Sequence, residues 1–218
     1  MPHYKLTYFN FHGYGEGARL LFHYASVPFE DVRVTPEEWP QLKPKMPYGQ
    51  VPVLEVDGVQ IPQSAAIFRY LARQFGLVPN CPIEEAQVDA VYDAQKDFDK
   101  EIEPYYEIFE GLSNADKNKV LKELVLPARD KYFGHLKKLL TAGDGIHLVG
   151  KQLYWADIVI ADTLMVIERM APPLFEGFPE IKKFVDEIHK LPALKKYLEE
   201  RPNRTEPHFC LSETLPEY

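Results

Sequence analysis

Pro47-Tyr48-Gly49-Gln50-Val51-Pro52-Val53-Leu54-Glu55-Val56-Asp57-Gly58-Val59-Gln60-Ile61-Pro62-Gln63-Ser64 decides how the first third of the chain folds. Val53, Leu54 and Val56 read as a short buried strand and Val59 to Ile61 as its return strand. Asp57-Gly58 between them reads as a hairpin turn, because Gly takes the positive φ that such a turn needs. Ser64 stands where a helix should begin and is expected to cap it, so that the helix N-terminus can hold an anion. Proline lowers the penalty of a cis bond to roughly 0.5–1 kcal/mol, so Val51-Pro52 is a candidate cis bond. Such a bond would turn the backbone edges of Val51 outward, where an extended peptide could pair as an added strand. The same residues also make an ordinary hairpin feeding a helix, and the local pattern alone does not separate the two.

Upstream, Tyr4 to Phe9 alternates as a first strand with Tyr4, Leu6 and Tyr8 on one side. A loop holding Gly13, Gly15 and Gly17 leads into a helix from Ala18 to Ala25, and Phe29 to Val34 reads as a second strand. The glycines do not make a dinucleotide fingerprint: the third is misplaced, and no acidic residue follows a second strand about 20 residues on. Trp39 and Lys43 fall in the next loop. Ser64 to Phe75 supplies a helix stopped by Gly76. The expected order is β-α-β, a loop, then β-β-α over residues 1–77. Residues 78–82, with two prolines and an asparagine, read as a linker.

Downstream, no strand pattern is found over 83–202. Val88, Val91, Ala94, Phe98, Ile102 and Phe109 recur at helical spacing, with Pro104 expected to kink that helix rather than end it. A second helix from Leu124 carries Ala128, Tyr132, Leu136, Leu139 and Leu140 on one face and ends near Gly143. Trp155 to Met170 is apolar nearly all round, as a central buried helix would be. Two further helices follow, around Ile181 to Ile188 and Leu194 to Leu198, and 203–218 reads as a tail. The fold class is thus a small α/β unit followed by an all-helical domain.

The composition is that of a soluble globular protein, with 45% hydrophobic and 27% charged residues. Acidic residues exceed basic ones, 33 to 25, and no Lys/Arg block is present, which argues against a nucleic-acid partner. Cys81 and Cys210 have neither metal-ligand spacing nor a C-x-x-C arrangement. No apolar run approaches the roughly 18 residues of a membrane span. The N-terminus is too short and polar for a signal peptide, so a cytoplasmic protein is expected, and Asn203-Arg204-Thr205 is not expected to carry a glycan.

Five motifs occur in order: Tyr4-Lys5-Leu6-Thr7-Tyr8-Phe9-Asn10, Trp39, Gly49-Gln50-Val51-Pro52-Val53-Leu54, Gln63-Ser64 and Trp155-Ala156-Asp157. Together they resemble the cytosolic glutathione S-transferases, of the sigma-like class and nearest its nematode members, over nearly the whole chain to about Pro202. The resemblance implies a thioredoxin-like domain followed by a helical domain, glutathione as co-substrate, no metal, and a homodimer. It also implies conjugation to, or reduction of, hydrophobic electrophiles in detoxification. A prostaglandin D synthase-type isomerase and a non-catalytic carrier or structural protein are the alternatives on the same scaffold.

The chemistry needs the glutathione sulfur as a thiolate, since the thiol is a poor nucleophile. A free thiol near pKa ~8.5 must fall by about two units to be mostly ionised at pH 7, roughly 2.7 kcal/mol. One hydrogen bond to a charged acceptor supplies roughly 1.5–3 kcal/mol, so a single neutral phenol can carry most of the shift. Tyr8 matches the family's catalytic tyrosine; otherwise it is a half-buried strand tyrosine. The resemblance further assigns the γ-glutamyl end of glutathione to Gln63 and Ser64 and the cysteinyl unit to Val51 beside Pro52. It gives the glycyl carboxylate to Trp39 and Lys43, with Gln50 over the peptide backbone and Asp97 reaching toward the neighbouring subunit's glutathione. Phe9, Tyr14, Tyr105 and Tyr106 are the aromatic candidates for the electrophile site.

Three departures are visible. Tyr14 stands where isomerising relatives carry Arg, and Lys96 interrupts their metal-linked acidic cluster. Tyr154 replaces the Ser or Thr that would cap the helix at Trp155, leaving Asp157 with half a capping box. On that basis Tyr154→Thr is expected to raise the melting temperature.

Overall fold

The computed structural model describes residues 2–201, which form two compact units. Among the described residues, the first comprises the chain up to Val78 together with residues 189–201; the second runs Pro79–Ile188. The expected tail, the glycosylation sequon and Cys210 lie outside the described residues.

In the first unit, β1 (Tyr4–Phe9) leads through a glycine loop to α1 (Glu16–Ala25), then β2 (Glu30–Val34). A short helix α2 (Trp39–Leu42) and two 3-10 turns carry the chain to β3 (Val53–Val56), β4 (Val59–Pro62) and α3 (Ser64–Phe75). The sheet order is β2-β1-β3-β4, with β2 parallel and β3 antiparallel to β1. This is the thioredoxin-like arrangement. Its core holds Leu6, Leu20, Leu21, Phe22, Leu54, Ile67, Phe68 and Leu71. The hairpin turns at Asp57-Gly58, both with positive φ, and Val51-Pro52 is cis.

The C-terminal helix α10 (Pro192–Glu200) belongs to this first unit and packs on α1. The helical pattern alone groups it with residues 83–202; its contacts group it with the first unit. Periodicity shows that a helix has an apolar face but not which surface covers it. The covering surface here is polar as well as apolar. The Tyr197 hydroxyl and Arg201 guanidinium reach the same Glu16 oxygen at 2.8 Å, and the His23 and Tyr197 rings stack at 3.9 Å.

The second unit is helical. Its first long segment divides into α4 (Pro82–Glu101) and α5 (Glu103–Phe109), meeting at Ile102 with Pro104 in the first turn of α5. Pro104 therefore starts a new helix where a kink was expected; the first turn is where a missing N–H costs nothing. The next helical run starts seven residues earlier than expected, at α6 (Lys117–Val120), where Asp116 accepts from the backbone N–H groups of Asn118 and Lys119. It continues through a π turn, Leu121–Val125, into α7 (Leu126–Ala142). Then come α8 (Trp155–Met170), buried on every side over its first two turns and on one face beyond them, and α9 (Pro179–His189).

Asp157 accepts from the amides of Leu148 and Tyr154, both at 2.8 Å, anchoring the start of α8. Tyr154 itself is 7% exposed. Replacing it by Thr would remove a buried ring, a loss of roughly 3 kcal/mol or more, to gain a cap of about 1 kcal/mol. The expected gain in stability is therefore reversed.

Candidate glutathione site

Tyr8 lies near the end of β1, in mid-sheet, where Thr7 pairs with Val53. Continuing that register sets Tyr8 level with Pro52 and Phe9 level with Val51. The Tyr8 side chain is 2% exposed, and its hydroxyl oxygen accepts from the backbone N–H of Tyr14 at 3.1 Å. Burial pushes its pKa well up, opposed by the Tyr14 amide and by the charge of Arg19. Burial wins, so the phenol holds its proton at neutral pH. With the amide occupying its oxygen, the O–H is left to donate elsewhere.

The glycine loop gives Tyr8 its room. A Cβ on Gly15 would lie 2.8 Å from the Tyr8 Cβ and nearer still to its Cγ and Cδ1. A Cβ on Gly17 would lie 2.6 Å from Phe68 Cζ in the core. Gly15 has an ordinary backbone (φ −92°), so close approach, not conformation, requires glycine there. The spacing that superficially resembled a phosphate loop is thus a packing requirement.

Val51 is half-buried, yet among the described residues none forms a backbone–backbone hydrogen bond with its N–H or C=O. Gln63 has φ 71° and ψ 115°, a conformation that L side chains rarely adopt and that costs of order 1–3 kcal/mol. It, and not Ser64, is the N-cap of α3, and its side chain makes no capping bond. Ser64 is the first helical residue, which corrects its expected role as the cap. The twelve-residue helix therefore starts without a side chain on its N–H groups, as an anion site requires.

At the other end of the ledge, Trp39 is 5% exposed, its indole set edge-on to Phe9 at 5.2 Å. Its Nε1–H is buried with no acceptor, a state that costs roughly 1–3 kcal/mol unless something supplies one. The stem of Lys43 lies over Gly49, whose added Cβ would be 3.6 Å from Lys43 Cγ and Cε. Gln50, beside that glycine, is exposed. The first unit so brings Tyr8, Trp39, Lys43, Gln50, Val51, Pro52, Gln63 and Ser64 onto β1, the α2 segment and the β3–β4–α3 run.

Of the aromatic candidates, Phe9 is half-buried and Tyr14 is 57% exposed. Tyr105 is fully buried and donates its hydroxyl to the Met170 carbonyl at 2.9 Å. It is a core residue of the second unit and offers no face to a substrate, a correction to its expected role. Tyr106 donates to Asp99 at 3.1 Å, and Asp97 is exposed on α4. Among the described residues no group of His, Cys, Asp and Glu is placed to hold a metal, and no helix is long and apolar enough to cross a membrane.

Missing from the sequence reading was Arg19, fully buried beneath Tyr8 with its guanidinium carbon 5.6 Å from the ring centroid. Its Nε binds Asp31 at 3.0 Å, Nη1 reaches Glu16 and the Phe11 carbonyl, and Nη2 the Phe9 carbonyl. One signal was available: Glu16 and Arg19 are charged residues on the opening turn of an apolar helix.

A buried phenol thus lies on a thioredoxin-like sheet, next to a backbone edge at Val51 and a helix start without a side-chain cap. The model of the glutathione S-transferase N-terminal domain matches residues 4–73, and that of the C-terminal domain residues 88–201. Glutathione S-transferase 1 of Ascaris suum is 51% identical over 202 residues, covering 93% of this chain and 98% of that protein. The solved structure of a Nu-class GST from Haemonchus contortus is 45% identical with a TM-score of 0.86, covering 94% of this chain and 99% of that one. That of monomeric Na-GST-3 from the hookworm Necator americanus is 43% identical with a TM-score of 0.90, covering 93% and 99%. The chain belongs to the glutathione S-transferase family. It is an enzyme of that activity, with glutathione as co-substrate.

Proposed function

We propose that Tyr8 activates glutathione by donating its phenolic proton to the sulfur, holding it as a thiolate for attack on apolar electrophiles. The observation that carries this is the 3.1 Å bond from the Tyr14 amide to the Tyr8 oxygen, which leaves a neutral, buried O–H free to donate. The tripeptide lies along residues 51–64. Its γ-glutamyl end meets Gln63, Ser64 and the start of α3; its cysteinyl backbone pairs with Val51 beside Pro52. Its glycyl carboxylate takes the unpaired Trp39 indole N–H and the Lys43 ammonium, a charge-assisted contact, with Gln50 alongside. Phe9, Tyr14 and Tyr106 offer aromatic surface to the electrophile.

The class is sigma-like, close to the nematode enzymes of which one is described as Nu-class. The protein is cytoplasmic and works without a metal as a homodimer, in which Asp97 reaches the neighbouring subunit's glutathione. One relative is described as monomeric, so sedimentation of the purified chain decides the assembly: a single species of one chain's mass removes the role of Asp97. For the chemistry, Tyr8→Phe retains binding to a glutathione column. It loses about 10- to 100-fold in conjugation rate near neutral pH, the worth of one hydrogen bond to a charged acceptor. Unchanged turnover removes Tyr8 from its role, and retention without turnover by the unaltered chain supports a carrier instead.

A further inference from the structure

A buried chain of charge runs from the C-terminal helix to the loop that holds Tyr8. Glu16, 3% exposed, accepts from the Tyr197 hydroxyl and from Arg201 Nη1 on one carboxylate oxygen, both at 2.8 Å. Its other oxygen faces Arg19 Nη1 at 3.2 Å. Arg19 in turn grips the carbonyls of Phe9 and Phe11, both at 3.1 Å. Those carbonyls fix the backbone immediately after Tyr8. The Glu16 amide closes the loop on the Gly13 carbonyl at 3.0 Å, and between these fixed points lies Tyr14, whose amide meets the Tyr8 oxygen. Every link is short, and the side chains of Glu16, Arg19 and Arg201 are at most 3% exposed, so screening by solvent is weak.

We propose that Tyr197 and Arg201 are positioning residues for the transferase reaction: through Glu16 and Arg19 they hold the 9–15 loop so that the Tyr14 amide orients the Tyr8 hydroxyl. This rests on the role given to Tyr8 above. None of the four residues touches the sulfur in this scheme. They act through the loop, and helix α10 becomes part of the glutathione-activating unit. The geometry also explains why a helix so late in the chain belongs to the first compact unit.

The charged and titratable groups around Glu16 are Arg19 from its own helix, His12 from the 9–15 loop, Tyr197 and Arg201 from α10, and Asp31 with Arg33 from β2. His23 stacks on Tyr197, and burial holds its pKa below the usual imidazole range. Tyr197 is held protonated by burial and by Glu16.

The experiment uses Tyr197→Phe, Arg201→Gln and Arg201→Lys in the full chain, with two readouts. The first is hydrogen exchange of the Tyr14 amide in 15N-tyrosine-labelled protein. The second is the pH dependence of kcat and of KM for glutathione. Tyr197→Phe and Arg201→Gln are expected to speed Tyr14 exchange and lower kcat at pH 6.5 on the order of tenfold. KM should stay within about twofold, and the acid limb should move up by about one pH unit. Arg201→Lys restores most of both. A merely structural role lowers the melting temperature but leaves kcat per folded molecule and the acid limb in place; that result overturns the proposal, as does unchanged Tyr14 exchange. If Tyr8→Phe is fully active, the catalytic reading of Tyr8 fails by itself, and the exchange data still decide whether the chain of charge holds the loop.

Discussion

Gly15→Ala tests the seat of Tyr8 more sharply than any change to the tyrosine itself. The backbone at Gly15 suits alanine, so the substitution adds a methyl group without conformational strain. That methyl falls within 2.8 Å of Tyr8 Cβ and closer to the ring, where ordinary contact begins at 3.4 Å. One side must give by about 1 Å, and a displacement of that size at a reacting group costs about 100-fold, or roughly 2.7 kcal/mol. The ceiling is the contribution of the phenolic hydrogen bond, roughly 1.5–3 kcal/mol. Conjugation of glutathione to a chromogenic aryl halide at pH 6.5 should therefore show kcat falling 10- to 100-fold. Overpacking adds about 1–3 kcal/mol of destabilisation, a fall in Tm of several degrees. The control is the same change in the Tyr8→Phe background. If Gly15→Ala acts by moving the phenol, it costs kcat almost nothing further there. Parental kcat in the single variant, or an equal loss in both backgrounds, refutes the reasoning.

Gln63→Gly should relieve the positive φ at the start of α3 and raise Tm by a few degrees, corresponding to about 1 kcal/mol, while weakening retention on a glutathione column; a lower Tm would show that the conformation is not strained. Asp99 is held by burial at a pKa of about 7, against hydrogen bonds from Gln95 and Tyr106. The folded chain keeps this proton over a range where the unfolded chain has lost it, so stability falls as pH rises from about 4 to 7, by at most about 4 kcal/mol. Asp99→Asn should accordingly melt above the parent at pH 8 and converge with it at about pH 4 or below; a difference equal at both pH values would exclude titration of Asp99 as its cause. Tyr154→Thr should lower Tm on thermal unfolding, because the lost ring burial exceeds the restored cap; a rise would restore the capping argument.

The parts of the fold legible in the sequence are those governed by local chemistry. Asp57-Gly58 set the hairpin, Gly76 stopped α3, and the alternation of Tyr4, Leu6 and Tyr8 marked the central strand. The elements that were misread depend on which surface meets which. Amphipathic spacing at Leu194 to Leu198 announces a helix but carries no address, and here the address is written in Tyr197, Arg201 and Glu16. Ser64 had the chemistry of a cap, yet the strained backbone of Gln63 takes the position. Asp116 had the same chemistry, and Val120, Leu121, Leu124 and Val125 follow it at helical spacing, so that helix start was legible. Tyr105 shows the limit for aromatic residues: composition cannot distinguish a ring that faces a ligand from one whose hydroxyl is spent on a buried carbonyl.

The balance around Tyr8 also decides which of two chemistries the site performs. A tyrosine with a depressed pKa would sit as tyrosinate and would first take the thiol proton as a base, becoming a neutral donor only after that transfer. The Tyr14 amide and the Arg19 charge both push in that direction. Burial in the sheet outweighs them, and Arg19 has much of its charge engaged by Asp31 and Glu16. The same two carboxylates that hold Arg19 in place thus moderate its field at the phenol. Their removal would both loosen the loop and leave a bare guanidinium under the ring. On the role proposed for Tyr8, neutral donor catalysis would therefore depend on the whole buried set, in which the hydroxyl is only the terminal atom.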